Sequence, residues 1–135
     1  MDATLRQQVV LRSGGQCEYC RIPQRFFTEL FQIEHIVAKR HRGLTVVRNL
    51  ALACARCNRH KGPNLSGIDP LSDRLTPLFN PRSDRWNEHF RQDPDGSMRG
   101  LTAIGRTTVY VLGMNAPQRV ELRAAIGILE KLDHS

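Results

Sequence analysis

The stretch from Cys54 to Gly62, CARCNRHKG, decides how the chain is read. Two cysteines stand two residues apart, and Asn58-Arg59-His60-Lys61 follow at once, before Gly62-Pro63 breaks the expected helix. A matching pair lies upstream in Cys17-Glu18-Tyr19-Cys20, with 33 residues between the pairs and no other cysteine in the chain. Four thiolates in two CxxC turns suit tetrahedral Zn²⁺, because each turn aims both of its sulfurs at one point. Disulfides and a redox CxxC are the competing readings. A reducing compartment disfavours the first, and the presence of two pairs argues against the second. A closed shell of four sulfurs leaves no position for substrate, so this metal builds rather than catalyses. Structural zinc supplies on the order of 10 kcal/mol to folding.

The rest of the composition sets the frame. The 135 residues, 40% of them hydrophobic, suit a modest core, and 24% charged residues argue against wholesale disorder. No apolar run of about 18 residues indicates a membrane span. The first residues lack a cationic head followed by an apolar stretch, so no secretory signal is expected. A cytoplasmic protein is the expectation from these features. The net charge is +7 and the isoelectric point about 9.9. Residues 1–66 hold eleven Lys/Arg against four Asp/Glu, whereas residues 67–135 hold nine against nine. The whole excess therefore lies in the half with the cysteines. A local positive field favours a polyanion partner, although a merely solvated basic face gives the same count.

Local patterns predict an α+β fold. Thr4 to Arg12 reads as a short helix capped by Thr4, lined by Leu5, Val9 and Val10, and stopped at Gly14-Gly15. Strand character runs from Phe31 to Ile36, a basic loop follows, and Asn49-Leu50-Ala51-Leu52-Ala53 starts a second strand. The helix at Cys54–Lys61 then completes a strand–loop–strand–helix order. Residues 1–66 are expected to form a zinc-stapled core, and residues 67–135 an extension packed on it. Residues 62–70 read as a turn-rich connector, and the segment beyond it has Phe79, Trp86 and Phe90 as anchors. A hairpin turns at Pro94-Asp95-Gly96. The segment 106–115 reads as strand or helix. A last helix is capped by Asn115, has Pro117 in its first turn, and carries Val120, Ala124, Ile128, Leu129 and Leu132 along one side.

Between the cysteine pairs stand Glu34-His35 and Asn49, and Asn58 follows the last cysteine. Singly, these read as a strand end, a turn residue and a helix cap. Jointly they read as a site. A carboxylate beside a histidine lets one hold a hard metal while the other faces a water. Asn58 adds a second oxygen ligand, and such an oxygen-rich, incomplete shell suits Mg²⁺ or Mn²⁺. Lys39, Arg40, His41 and Arg42 in the loop, with Arg56, Arg59 and Lys61 on the helix, surround it with positive charge. His60 and His89 read as surface and packing residues.

Residues 17–62 resemble an HNH endonuclease of the zinc-knuckle, ββα-metal kind. The resemblance rests on CEYC, EHI, Asn49-Leu50 and CARCNRHK, about a third of the chain. It implies that His35 is the general base, Glu34 and Asn58 ligate the catalytic ion, and Asn49 holds the loop and orients the histidine. Lys61 then touches phosphate, and DNA is cut to 5′-phosphate and 3′-hydroxyl ends. Two departures stand out: Glu34 where Asp is commoner, and the loop AKRHRGLT in place of a Pro-plus-double-Gly form. A non-catalytic zinc module that binds nucleic acid is the alternative. A lone domain nicks one strand, and a homodimer would supply the second site for a double-strand break.

Overall fold

A computed structural model describes residues 2–133. The fold is α+β, and contacts divide the chain into two compact units, Met1–Leu65 with Asn80–Asp84, and Ser66–Phe79 with Arg85–Ser135.

In the first unit, helix α1 (Ala3–Ser13) starts from Asp2, whose carboxylate accepts the Leu5 N–H at 2.7 Å. The cap expected at Thr4 therefore sits two residues earlier, where an acidic group also meets the positive end of the helix. Gly14 ends α1 in the left-handed conformation. Strand β1 (Gln32–His35) pairs antiparallel with β2 (Leu50–Ala53), with Glu34 opposite Ala51 and His35 opposite Leu50. All four residues of β2 are buried, so this short strand is covered on both faces. Helix α1 packs on β2, and helix α2 (Ala55–Lys61) packs on both strands. The ββα order expected from Phe31 to Lys61 is present.

Glu18 ties this unit together from within the first knuckle. Its N–H donates to the Leu52 carbonyl at 2.8 Å, and one carboxylate oxygen accepts the Leu52 N–H at 2.8 Å. The other oxygen takes the guanidinium of Arg82, which the 80–84 segment delivers. Arg12 of α1 reaches the carbonyls of Val47 and Leu50 beside it.

In the second unit, the stretch read as a connector contains strand β3 (Ser66–Ile68), paired with β4 (Leu75–Pro77). Side-chain chemistry, not strand propensity, makes this hairpin. Asp69 is fully buried; it accepts the Leu71 N–H and the Ser72 hydroxyl, and takes Arg106 through two bonds of 3.0 and 2.9 Å. Helix α3 (Trp86–His89) leads into the expected hairpin of β5 (Phe90–Gln92) and β6 (Met98–Gly100). Gly96 closes that turn at φ +91°, where an added Cβ would lie 2.1 Å from the Val120 carbonyl oxygen. Phe79, Trp86 and Phe90 pack together as the expected anchors, edge-to-face for Phe79–Phe90 with centroids 5.1 Å apart and tilted for Trp86–Phe90 at 5.2 Å.

The ambiguous segment is helical. Helix α4 (Ala103–Val111) is capped by Thr102, whose hydroxyl accepts the Gly105 N–H at 3.0 Å. Burial of Thr107 and Thr108 overrides their strand preference. Helix α5 (Pro117–Asp133) begins at Pro117 as expected, but Asn115 is not its cap. The Asn115 amide instead pairs with both the N–H and the carbonyl of Met98, at 2.7 and 2.8 Å. The apolar side also differs: Arg123 and Ile126 are buried, while Ile128, Leu129 and Leu132 are exposed. The Arg123 guanidinium draws its face of the helix inward by bonding the carbonyls of Gly96 and Met114.

Candidate metal centres and nucleic-acid face

The first knuckle closes through backbone bonds from Cys17 to Ile22 at 3.0 Å and from Arg21 to Cys17 at 2.9 Å. The second is the start of α2, where Cys54 Sγ accepts the Cys57 N–H at 3.4 Å. The backbone and side-chain bonds of Glu18 to Leu52 bring the first knuckle to the end of β2, where the second begins. All four cysteines are buried and free of disulfides, and their sulfurs lie within 4.8 Å of one another. A tetrahedron with Zn–S of about 2.3 Å sets its sulfurs about 3.8 Å apart. The Cys20–Cys54 separation is 3.9 Å, so the cluster is compatible with a structural zinc ion. Burial pushes the Cys17 thiol well up, and its neighbouring sulfurs push Cys57 up. Four thiolates therefore sit here together only around a cation.

Next to the knuckles, helix α2 lies along one face of β1. Gln32 and Glu34 share that face by strand alternation, and Asn58 and Lys61 share a helix face three residues apart. The pairs meet in register. Asn58 Nδ2 donates to Gln32 Oε1, and Lys61 Nζ lies 3.4 Å from Glu34 Oε2. Glu34 is 5% exposed and its other oxygen accepts the hydroxyl of Tyr19, the buried aromatic of the first knuckle. Burial raises the Glu34 pKa, while the Lys61 charge and the Tyr19 bond pull it back.

Asn49 holds the loop that follows β1. Its Oδ1 accepts the Val37 N–H at 2.9 Å, and its Nδ2 donates to the carbonyls of Val37 at 3.0 Å and Leu44 at 2.9 Å. Gly43 must lack a side chain there, because a Cβ would lie 1.7 Å from the Val37 carbonyl oxygen. The clamped loop carries Thr45 to His35, with Oγ1 2.8 Å from Nε2. Burial first, then the charge of Lys39, lowers the His35 pKa, which favours the neutral ring.

Residues 17–64 match the family model described as HNH endonuclease. The chain carries an HNH domain. No curated protein and no solved structure matches the chain.

Within the HNH domain the expected residues divide. Cys17, Cys20, Cys54 and Cys57 converge. Glu34 and Asn58 lie along the same strand–helix face, each with a protein partner. His35 lies apart from them, since alternation turns it to the other face of β1, toward Thr45. Lys39, Arg40, His41, Arg42 and Arg59 are exposed, and Arg56 is half-buried. An HNH domain implies nucleic-acid binding. His60 is exposed, as expected.

Lys61 is a correction. Assigned to phosphate contact by resemblance, it is 2% exposed and donates to the Ile36 carbonyl at 2.9 Å beside Glu34. Its ammonium neutralises a buried carboxylate and cannot reach a nucleic acid. Lys61→Met is expected to cost about 3–5 kcal/mol in denaturant unfolding, because it strands Glu34. Glu34→Gln added to it should recover much of that loss. A Lys61→Met protein of wild-type stability with weakened DNA binding would restore the phosphate role.

Tyr19, Gln32 and Glu18 were not singled out from the sequence. Only the interleaving in CEYC, two polar-capable side chains inside a zinc knuckle, hinted at Glu18 and Tyr19.

Proposed function

We propose that the HNH domain is a metal-dependent endonuclease that hydrolyses DNA phosphodiester bonds, with His35 as general base. The observation that carries this reading is the family match over residues 17–64, which spans a ββα unit; His35, Asn49 and Asn58 take their roles from the resemblance of the motifs. The Glu34 carboxylate, once it is released from Tyr19 and Lys61, and the Asn58 amide oxygen would be the hard donors for one Mg²⁺ or Mn²⁺, in keeping with the preference of such ions for oxygen. When bound, that ion stabilises charge on the phosphate and the leaving 3′ oxygen.

The chain's own residues supply the rest. The neutral His35 imidazole takes the proton of the attacking water at its free ring nitrogen. Asn49 keeps the loop in place, so that Thr45 fixes the direction of the ring. Lys39, Arg40, His41, Arg42, Arg56 and Arg59 draw in the phosphodiester backbone, which sets affinity without reading sequence. Tyr19 and Lys61 hold Glu34 from behind and join it to the zinc knuckle. Cysteines held as zinc ligands rather than as disulfides suit a reducing cytoplasm.

The second reading, a non-catalytic zinc module that binds nucleic acid, draws on one observation: the Glu34 carboxylate is enclosed by Tyr19 and Lys61. The two readings part at Asn58. Asn58→Ala should shift the Mg²⁺ or Mn²⁺ dependence of plasmid nicking to higher metal concentration while the thermal midpoint stays unchanged. A metal response identical to that of the wild type removes Asn58 from the ligand set.

A further inference from the structure

Helix α5 packs into the second unit through Arg123 and Ile126, and its outer side is apolar. Ile128, Leu129 and Leu132 are 61%, 49% and 65% exposed. With the exposed Ala125 and the half-buried Leu122 they form a stripe at spacings of three and four residues. Helices bury stripes of this kind against one another, and an apolar stripe left facing water marks an interaction surface.

The charges beside the stripe point to its occupant. Glu121 and Lys131 are both exposed, and about 2.8 helical turns separate them, so they lie along the same side of the stripe. Neither has an opposite charge three or four residues away within α5, and neither makes an ion pair among the described residues. A second α5 laid antiparallel across the stripe satisfies both. A two-fold axis midway between them, level with Ala125 and Ile126, sets Glu121 of each copy against Lys131 of the other. The same axis places Leu122 between Leu129 and Leu132 of the other copy. The small Ala125 at the centre lets the two backbones approach closely. A parallel pairing would instead set Glu121 on Glu121 and Lys131 on Lys131, and like charges disfavour it.

We propose that α5 is a homodimer surface, which pairs antiparallel with α5 of a second copy of this chain through the apolar stripe and is closed at both ends by Glu121–Lys131 ion pairs. The patch is self-complementary, as a two-fold interface requires. One helix pair buries less than the about 1,200 Å² of a standard complex, so the dimer is a weak one that assembles at tens of micromolar. The pairing is independent of the nuclease reading, and its test needs neither DNA nor a catalytic ion.

The test is sedimentation velocity of the zinc-loaded full chain. The sedimentation coefficient should rise from that of a monomer to that of a dimer as the chain is concentrated about 100-fold through this range. Leu129→Lys should keep the thermal midpoint and stay monomeric throughout. Glu121→Lys and Lys131→Glu should each weaken association about 10-fold, because each reverses two symmetry-related pairs. The decisive arm is their combination. The doubly swapped chain should dimerise like the wild type, and an equimolar mixture of the two single variants should associate more tightly than either alone. A chain that is monomeric at every concentration would leave the stripe to a different protein and overturn the proposal. So would a dimer that Leu129→Lys leaves intact, since it uses another surface. A dimer that Leu129→Lys breaks but that ignores both charge reversals would overturn the antiparallel pairing, and the proposal with it.

Discussion

Removal of zinc from the Cys17–Cys20–Cys54–Cys57 cluster is expected to unfold the first unit. The two knuckles hold the ends of a segment whose strands are four residues each, and a two-stranded hairpin of that length is not stable alone in water. Structural zinc contributes on the order of 10 kcal/mol, comparable to the whole stability of an ordinary domain. Loss of the ion also leaves four sulfurs buried without a counter-charge. Cys57→Ser should act in the same direction, because it removes a ligand and alters the start of α2. The checks are one zinc per chain by elemental analysis and, after chelation, loss of the dispersed NMR signals of Tyr19 and His35. All four thiols should become reactive at the same time. A metal-free chain that keeps those signals would refute the zinc site.

Substitution of His35 by alanine is expected to abolish DNA cleavage and spare the fold. A positioned general base contributes about 10²–10⁴-fold to a hydrolytic rate. The half-buried ring makes one side-chain bond, to Thr45, so its removal leaves no buried polar group stranded. The loss should therefore appear in kcat at saturating DNA, with zinc content, thermal midpoint and DNA affinity unchanged. Substitution of an exposed arginine such as Arg42 would act differently, raising KM and flattening the salt dependence of binding. A His35→Ala protein that retains the wild-type kcat would remove the base from the mechanism.

The sequence made the site legible where covalent spacing dictates structure. Two CxxC turns leave a metal little choice of geometry, and the second turn runs directly into the helix that carries Asn58. The strands at Gln32–His35 and Leu50–Ala53 were visible from the apolar, strand-like character of the segments that contain them. What the pattern did not carry was the direction of individual side chains. Lys61 looks like any basic residue on a basic helix, yet its position one helical turn after Asn58 sends it to Glu34. Gln32 carries no signal at all, since its contact with Asn58 arises only once α2 lies along β1. In the second unit the misreadings share one cause. Asp69, Asn115 and Arg123 use side-chain bonds to hold backbone, and such bonds follow from tertiary proximity rather than from periodicity. The exposed Ile128, Leu129 and Leu132 formed the most regular apolar stripe on α5, but the Arg123 bonds decided which side turned inward.

The account stands most directly on a supercoiled plasmid incubated with the zinc-loaded wild-type chain, with and without added Mg²⁺ or Mn²⁺. The predicted result is metal-dependent nicked circles that a ligase reseals, since the cut leaves a 5′-phosphate and a 3′-hydroxyl. Plasmid that stays supercoiled under every metal condition, while shifting in a salt-sensitive complex, would contradict the nuclease and leave a nucleic-acid-binding module.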